Sequence, residues 1–463
     1  MKIRFSYILL LSVALLSHGV LIAQVNNLPS RSGGAGGGLT LEQLKDSALH
    51  NNIAIRKAQH DIDAAQQQRK EAFTKYFPNV SGTGLWFNAD KGMAKMDMNP
   101  SEFITPELGV SLAQMLPVEA LAALGNPISM SMMKNGTIGS LMAIQPVFAG
   151  GQIINGNKLA KVGEDVSRLQ LQLSENEVER QTEQYYWQLV SLQEKMKTIE
   201  AVEALLADIY KDVDVAVRAG VAMRNDLLQV QLRQNDVESQ KVKLNNGIGI
   251  VRLLLAQYCG LSSDSFAVSV CDGFPVASIP LQQDPQQALL QTAEYQLLGK
   301  QVEATSLQRK MEVGKNLPTV GVGAGYNYHN LMDNDHTFGM IFATVSVPIS
   351  DWWGGSHAIK RKKIAQQQAE EQLADNAELL KVRIQKAWND VVEARQQLDL
   401  AQRGIEQAEE NLRLNRDYYR AGTSKMSDLL EAQLLYQQTL DRRTDAYADL
   451  QNKLLDYRQS IGQ

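Results

Sequence analysis

The sequence predicts a mainly α-helical, internally duplicated chain, in which long coiled-coil hairpins are joined to four β-strands that contribute to a transmembrane β-barrel. Three observations predict this fold class. Long proline-free stretches carry apolar residues at spacings of three and four. Two pairs of short alternating segments have the period of strands. The same landmarks recur 202 residues apart, as in Gly220 and Gly422.

Composition excludes several classes of protein. The chain has 463 residues with 46 basic and 51 acidic side chains, a net charge of −5, which is not the charge pattern of a nucleic-acid-binding protein. Two cysteines are too few for a small disulfide scaffold. A mean hydropathy of −0.25 and a single apolar stretch exclude a polytopic helical membrane protein. Contact with a membrane must therefore come through strands or partners.

The single apolar stretch lies at the start of the chain. Lys2 and Arg4 precede an apolar run over residues 5–16, and a small residue stands at the expected cleavage point, so residues 1–23 are predicted to be a secretory signal peptide. A membrane anchor is the alternative, but the run is short for a span. Residues 24–38 are predicted to be a flexible, glycine-rich leader.

Export would place both cysteines in an oxidising compartment. Cys259 and Cys271 are twelve residues apart, so a disulfide between them would close a short loop after a helix. Two unpaired, buried thiols are the alternative. In either case the cysteines are expected to be structural.

The recurring landmarks indicate that the chain contains two copies of one unit. The first repeat is assigned to residues 39–262, a linker to 263–283 and the second repeat to 284–463. The recurring landmarks at the common offset are Pro146 and Pro348, Gly220 and Gly422, Asp226-Leu227-Leu228 and Asp428-Leu429-Leu430, and Gln231 and Gln433.

An insertion interrupts the first repeat. Upstream of the shared frame, Pro78 matches Pro318 at an offset of 240 instead of 202, so the first copy holds 38 extra residues between Pro78 and Pro146. We place the insertion at about residues 90–137, in the loop between two strands. Each repeat then runs as helix, strand, loop, strand, long helix, tight turn and return helix.

Periodicity predicts long helices with a narrow apolar seam and polar flanks. From Ile153 to Ala219 the chain has no proline, enough for about 100 Å of helix. Gly220 and Gly422 stand where glycine commonly ends a helix in the left-handed conformation. The seam residues are Leu159, Val162, Val166, Leu169 and Leu173 in the first repeat, and Tyr447, Leu450, Leu454, Tyr457 and Ile461 in the second.

The strands alternate between an apolar face and a small or polar face, as in residues 320–328. Alternation alone fits a sandwich edge and a membrane barrel equally well. Aromatic residues favour the barrel, because they occur at both ends of the strands, and Phe148, Trp352 and Trp353 would mark the membrane interface next to the helices. Four strands are too few to close a barrel, so the chain must oligomerise.

Several motifs together resemble the outer membrane efflux proteins, the TolC-like family, over essentially the whole mature chain. They are Leu39-Thr40-Leu41-Glu42-Gln43-Leu44 with Ala48 and Asn51-Asn52, Gln145-Pro146-Val147-Phe148-Ala149-Gly150-Gly151, and Tyr419-Arg420-Ala421-Gly422-Thr423 through Gln433.

This resemblance implies a homotrimer with a shared 12-stranded barrel in the cell outer membrane, surrounded by outer membrane lipid, and a helical tunnel in the periplasm. It implies a passive exit duct for efflux or type I secretion, docked to a periplasmic adaptor and an inner-membrane transporter of RND or ABC type. A periplasmic coiled-coil adaptor or scaffold is the alternative function.

The resemblance also assigns roles at the hairpin tips. Asp428 and Glu431 match acidic residues at the periplasmic constriction, where three chains would form two carboxylate rings; a solvated helix face or a helix-start carboxylate is the alternative. Tyr419 matches a gate tyrosine with Asp226 as its partner, whereas Ser424 replaces the usual arginine. The residues matched to adaptor docking are Arg218, Gly220, Val221, Arg420, Gly422 and Thr423.

Two loops contain soft or metal-binding side chains. Eight methionines fall between residues 93 and 142, where they suit Cu(I) or Ag(I) or, on the simpler interpretation, fill gaps in a loop at the barrel mouth. The second loop holds His329, Asp333, Asp335 and His336. A metal site could be drawn from these residues, but we interpret the loop as solvated. We predict no metal, no cofactor and no nucleic acid, and no motif indicates an enzyme.

Overall fold

The computed structural model describes residues 38–99, 102, 104–117, 128–262, 278–331 and 334–463. The predicted signal peptide, all but the last residue of the leader, and Cys271 lie outside these ranges. The helices are α1 Leu41–Asn51, α2 Ile53–Thr74, α3 Pro106–Met115, α4 Gln152–Arg218, α5 Arg224–Cys259, α6 Pro285–Leu289, α7 Ala293–Lys315, α8 Asp351–Arg420 and α9 Met426–Ser460. The strands are β1 Asn79–Asn88, β2 Ala94–Met98, β3 Ile128–Met132, β4 Asn135–Ala149, β5 Thr319–Leu331 and β6 Asn334–Ser346.

The four predicted strands are confirmed as β1, β4, β5 and β6. They form one antiparallel sheet in the order β1-β4-β5-β6, so the two repeats meet between β4 and β5, and β1 and β6 are its edges. The β4–β5 register shifts between Pro146 and Phe148. Proline has no N–H to donate to the ladder, which accounts for an irregularity at this position.

The two faces of the sheet differ in polarity. The strand pairing places Val80, Leu141, Tyr326 and Ile341 on one face, where Ile341 is 90% exposed. The opposite face is mixed, because it carries Ser140, Asn327, His329, Thr344 and several glycines but also large apolar residues such as Leu85, Ile144, Phe338, Met340 and Phe342. The sheet therefore presents one exposed, largely apolar face and one face of mixed polarity, which is called the polar face because Ser140, Asn327 and His329 lie on it.

The long helices have the predicted length. Helix α4 has 67 residues and α8 has 70, about 100 Å each. The second-repeat seam is buried from Tyr447 to Ile461, as predicted. The first-repeat seam differs, because only Val162 is buried and its other four members are half-exposed. Helix α9 ends level with Asn176, where Gln459 Nε2 donates to the Asn176 carbonyl at 2.7 Å. The segment of α4 that precedes Asn176 therefore packs against the short helices α2 and α7, which leaves its seam half-exposed.

The Asn51-Asn52 pair fixes the corner between α1 and α2. Asn52 Oδ1 accepts from the Ala54 N–H at 2.8 Å and so caps α2, while Asn52 Nδ2 donates to the Tyr258 carbonyl. Asn51 Nδ2 donates to the Cys259 carbonyl at 3.2 Å. These bonds tie the start of the first repeat to the end of its return helix.

Cys259 lies fully buried in the core formed by α1, α4 and α5. It is a free thiol, and burial raises its pKa to about 12. Its predicted partner, Cys271, lies outside the described residues.

The insertion is more ordered than a loop. It contains the β2–β3 hairpin and the helix α3, none of which the sequence indicated. Met93, Met96, Met98 and Met115 are exposed, so at these four positions methionine does not fill gaps in a packed core. Met96 and Met98 belong to the β2–β3 hairpin, which is a separate two-stranded sheet and does not pack into the four-stranded one.

Among the helices in the described ranges, none is both long and apolar enough to cross a membrane.

Candidate functional site at the hairpin tips

Two glycines turn the chain at the far end of the long helices. Gly220 has φ +75° and Gly422 has φ +72°, and a Cβ on either would meet nothing within 4 Å. The Val221 N–H donates to the Ala216 carbonyl and the Thr423 N–H donates to the Tyr418 carbonyl, each at 2.9 Å. Backbone conformation, not crowding, therefore requires glycine at both tips.

Each return helix starts with the same acidic cap. Asp226 Oδ2 accepts from the Met223 N–H, and Asp428 Oδ2 accepts from the Lys425 N–H, both at 3.2 Å. Asp428 also accepts hydrogen bonds from Ser424 Oγ and Ser427 Oγ at 3.1 Å. The backbone hydrogen bond, followed by these hydroxyl bonds, lowers the pKa of Asp428 below its usual value.

The two tips enclose a cleft of about 660 Å³. Its walls come from the end of α4, the first turn, the end of α8 and the second turn, and they include Asp226, Tyr419 and Ser424. Below it, Met426 and Leu429 are buried against Val213 and Val230, so the two hairpins share one apolar core. The site thus combines residues that are about 200 positions apart in sequence.

Tyr419 and Asp226, the predicted gate pair, line the same cleft. Burial, and then the negative charge of Asp226, raises the pKa of Tyr419. Ser424 makes its side-chain bond to Asp428 within its own turn. Ser424 therefore serves as part of a helix cap.

An ion pair that the sequence did not indicate joins the two tips. Arg420 Nη2 lies 3.3 Å from Asp212 Oδ2, which links the end of α8 to α4. Arg218, in contrast, pairs with Asp214 on its own helix. Asp212 has no counterpart at the repeat offset, where the residue is Leu414, so the sequence held no signal for this contact.

The remaining tip residues face outward. Val221 is 80% exposed and Thr423 is exposed on the second turn. Asp428 and Glu431 are also exposed, on the side of α9 opposite the buried Met426 and Leu429. The tips therefore offer two exposed turns and a pair of carboxylates on one helix face.

A polar contact between the return helices lies next to the tip core. Arg233 Nε donates to Gln433 Oε1 at 3.0 Å and Arg233 Nη2 donates to Gln437 Oε1 at 2.8 Å, while Gln437 Nε2 donates to Gln240 Oε1. Burial lowers the pKa of the Arg233 guanidinium. The repeat of Gln231 as Gln433 did not reveal this contact, because Arg233 has no counterpart at the repeat offset, where the residue is Leu435.

The aromatic residues predicted for the membrane interface lie at the other end of the molecule. Phe148, Trp352 and Trp353 are 46%, 48% and 80% exposed at the junction of sheet and helices. Trp352 Nε1 donates to the Asn316 carbonyl at 2.9 Å, so its ring is anchored by its polar end.

Comparison with known proteins gives the same architecture. The outer membrane protein VceC from Vibrio cholerae aligns with 91% of this chain and 96% of its own at 14% identity and a TM-score of 0.71. CusC, described in terms of transmembrane channel formation, aligns with 94% of this chain and 95% of its own at 14% identity and a TM-score of 0.76. The open state of the Neisseria gonorrhoeae MtrE outer membrane channel aligns with 91% of this chain and 88% of its own at 14% identity and a TM-score of 0.70. No curated protein sequence matches the chain significantly.

Over about nine-tenths of its length the chain therefore shares the fold of these solved outer membrane proteins. By sequence, residues 285–463 match the family model described as outer membrane efflux protein. The predicted resemblance to outer membrane efflux proteins is thereby confirmed, by sequence in the second half of the chain and by fold over nine-tenths of it.

Proposed function

We propose that this protein is the outer membrane exit duct of a tripartite efflux or type I secretion system. In this proposal two repeats, residues 39–262 and 284–463, supply four strands and two helical hairpins per chain. Three copies join the strands into a 12-stranded barrel in the outer membrane, and their helices form a tunnel through the periplasm. Export through the duct is passive.

One observation carries the proposal. The chain combines a sheet with an exposed apolar face and, at the opposite end of helices about 100 Å long, two tips that share a cleft. An apolar sheet face suits lipid, with Phe148, Trp352 and Trp353 at the headgroup level. A periplasmic adaptor or scaffold would need the hairpins but gives no role to such a sheet.

The tips are proposed to carry the contacts with the partners. Arg218, Gly220, Val221, Arg420, Gly422 and Thr423 form the docking surface for a periplasmic adaptor, behind which stands an inner-membrane transporter of RND or ABC type. Asp428 and Glu431 would form two acidic rings at the constriction of the trimer, and Tyr419 with Asp226 would hold the tips closed.

In-cell crosslinking from Thr423→Cys tests the proposal, with Lys360→Cys near the sheet as the matched control. We expect the tip thiol to capture an adaptor and the control thiol to capture none, as identified by mass spectrometry. Capture of other copies of this chain alone from Thr423→Cys would contradict adaptor docking. Release of the protein from membranes by alkali would contradict the barrel and favour a scaffold.

A further inference from the structure

Two histidines face each other across the hairpin of β5 and β6. His329 pairs in register with His336, and their ring centroids are 5.3 Å apart. Residues paired directly across antiparallel strands point to the same side of the sheet. Both imidazoles therefore lie on the polar face, at the end of the sheet farthest from the helices.

The neighbouring side chains pack against the rings and leave Nδ1 of His329 without a hydrogen-bond partner. Phe338 contacts both rings, with centroids 6.4 Å from His329 and 5.8 Å from His336. Asp335 lies on the opposite face, where it accepts hydrogen bonds from Tyr328 and Asn330. The carboxylate of Asp335 is thus already engaged on the other side of the sheet.

This part of the polar face also lacks hydrogen-bond partners. Ser140 Oγ, Asn327 Nδ2 and His329 Nδ1 are buried without a partner, and Ser140 pairs in register with Asn327 on the same face as the histidines. A buried polar group left unpaired costs about 1–3 kcal/mol, so three in one patch indicate a site that takes up water or an ion.

The spacing of the rings suits a shared metal ion. Two imidazoles bound to one tetrahedral ion through bonds of about 2.0–2.1 Å place their centroids about 5.2 Å apart, close to the 5.3 Å found here. Imidazole is a preferred ligand of Zn²⁺, Cu²⁺ and Ni²⁺. We propose that His329 and His336 form a binding site for divalent ions of this class, with water in the remaining positions.

The site is open and not a structural metal centre. Within the described part of the chain, no three His, Cys, Asp or Glu side chains are grouped closely enough to hold a metal ion, whereas structural zinc sites use four protein ligands. Two ligands with water give weaker, exchangeable binding. In the trimer of the proposed function, three such pairs would line the outer mouth of the barrel, and this last step rests on that function.

Copper binding to the tag-free full chain in detergent tests the site itself. Electron paramagnetic resonance of the Cu²⁺ complex is expected to show two equivalent nitrogen ligands, displaced by Zn²⁺. The variants His329→Ala and His336→Ala should each weaken binding at least tenfold, while the exposed His357→Ala should bind like the unmodified chain. Unchanged binding in the double variant, or loss of binding in His357→Ala alone, would overturn the assignment. Migration as an intact oligomer on a gel checks that each variant folds.

Zinc block of single channels in a planar bilayer tests the location of the histidine site separately from the proposed exit-duct function. Micromolar Zn²⁺ on the side of the β5–β6 hairpin should reduce the current, and the double variant should abolish the effect. A conducting channel that Zn²⁺ leaves unchanged would overturn the mouth location. Copper binding by a chain that never conducts would support the site and contradict the exit duct.

Discussion

Asp226 and Asp428 occupy the same place in two copies of one turn. Each carboxylate accepts a hydrogen bond at 3.2 Å from the backbone N–H three residues earlier, and each lies in the first turn of a return helix. A carboxylate there satisfies a free helical donor and is favoured by the helix dipole. The capping role is thus built into both tips, independently of any role in a constriction.

The first prediction concerns this cap. Asp428→Ala should fray the start of α9 and speed amide hydrogen exchange over residues 425–430 several-fold, while Asp428→Asn should keep part of the protection because its amide oxygen can still accept. Because its folded pKa is lowered, the cap is present above pH about 4 and is lost as pH falls through the folded value. Glu431→Ala, one turn on, is the control and should leave exchange unchanged.

Ion selectivity tests the acidic rings separately. Asp428→Asn combined with Glu431→Gln should lower the cation-to-anion permeability ratio by about twofold or more, because rings of carboxylates favour cations. The reversal potential of channels in a salt gradient measures this ratio. Asp375→Asn, on α8 far from the tips, should not change it. An unaltered ratio in the double variant would leave the two carboxylates with structural roles only.

Opening of the tips should depend on the pair of Arg420 and Asp212. An exposed ion pair contributes about 0.2–1 kcal/mol, so Arg420→Ala should raise the open fraction of single channels by about 1.4- to fivefold. The charge-swapped double variant, Asp212→Arg with Arg420→Asp, should return it towards the original value. If the swap opened the channel further, the pair would not act as a latch.

Two adjacent glycines allow a matched test at the sheet-to-helix junction. Gly150 has φ +60°, and a Cβ there would lie 2.1 Å from the Gly314 carbonyl oxygen, whereas Gly151 has φ +75° and its nearest neighbour would be an amide at 3.5 Å. Gly151→Ala should cost about 1–2 kcal/mol of backbone strain. Gly150→Ala adds a backbone clash worth about 1–3 kcal/mol more.

Thermal unfolding in detergent measures both variants. The junction model requires that Gly150→Ala lower the midpoint clearly more than Gly151→Ala does. Equal shifts would mean that α7 moves away from Gly150 freely.

Asp441 should make stability depend on pH. Burial raises its pKa to about 6, with Asp445 adding to the shift and Lys195 opposing it. A raised folded pKa means that the folded state binds the proton more tightly, so stability falls as pH rises from about 4 through 6. Asp441→Asn should stabilise the protein above pH 6 by on the order of 1 kcal/mol after discounting for solvent screening. Unfolding midpoints at pH 4.5 and 8 give the comparison, and an equal gain at both would contradict this assignment.

The sequence predicted the features that depend on local residue patterns, such as the spacing of apolar residues and the glycines that end helices. The seam from Tyr447 to Ile461 is buried as its spacing predicts, and Gly220 and Gly422 adopt the left-handed conformation expected of helix ends. It did not reveal that the matching seam near Leu159 is half-exposed, because burial there depends on where α9 ends.

The sequence also did not predict the contacts between the repeats. Arg420 meets Asp212, and Arg233 meets Gln433 and Gln437, across about 200 residues without a shared motif. The strands β2 and β3 and the helix α3 were missed because the methionine-rich insertion has no clear period.

In the proposed trimer, the order of strands in the sheet would determine how copies join. Because β1 and β6 are the two edges, a closed ring forms only if the β6 edge of each copy pairs with the β1 edge of the next, a head-to-tail contact. A copy with one damaged edge would still be accepted at its intact side but would end the ring there. Such a chain, co-expressed with normal chains, would have a dominant-negative effect, because it would prevent closure of every ring that contains it.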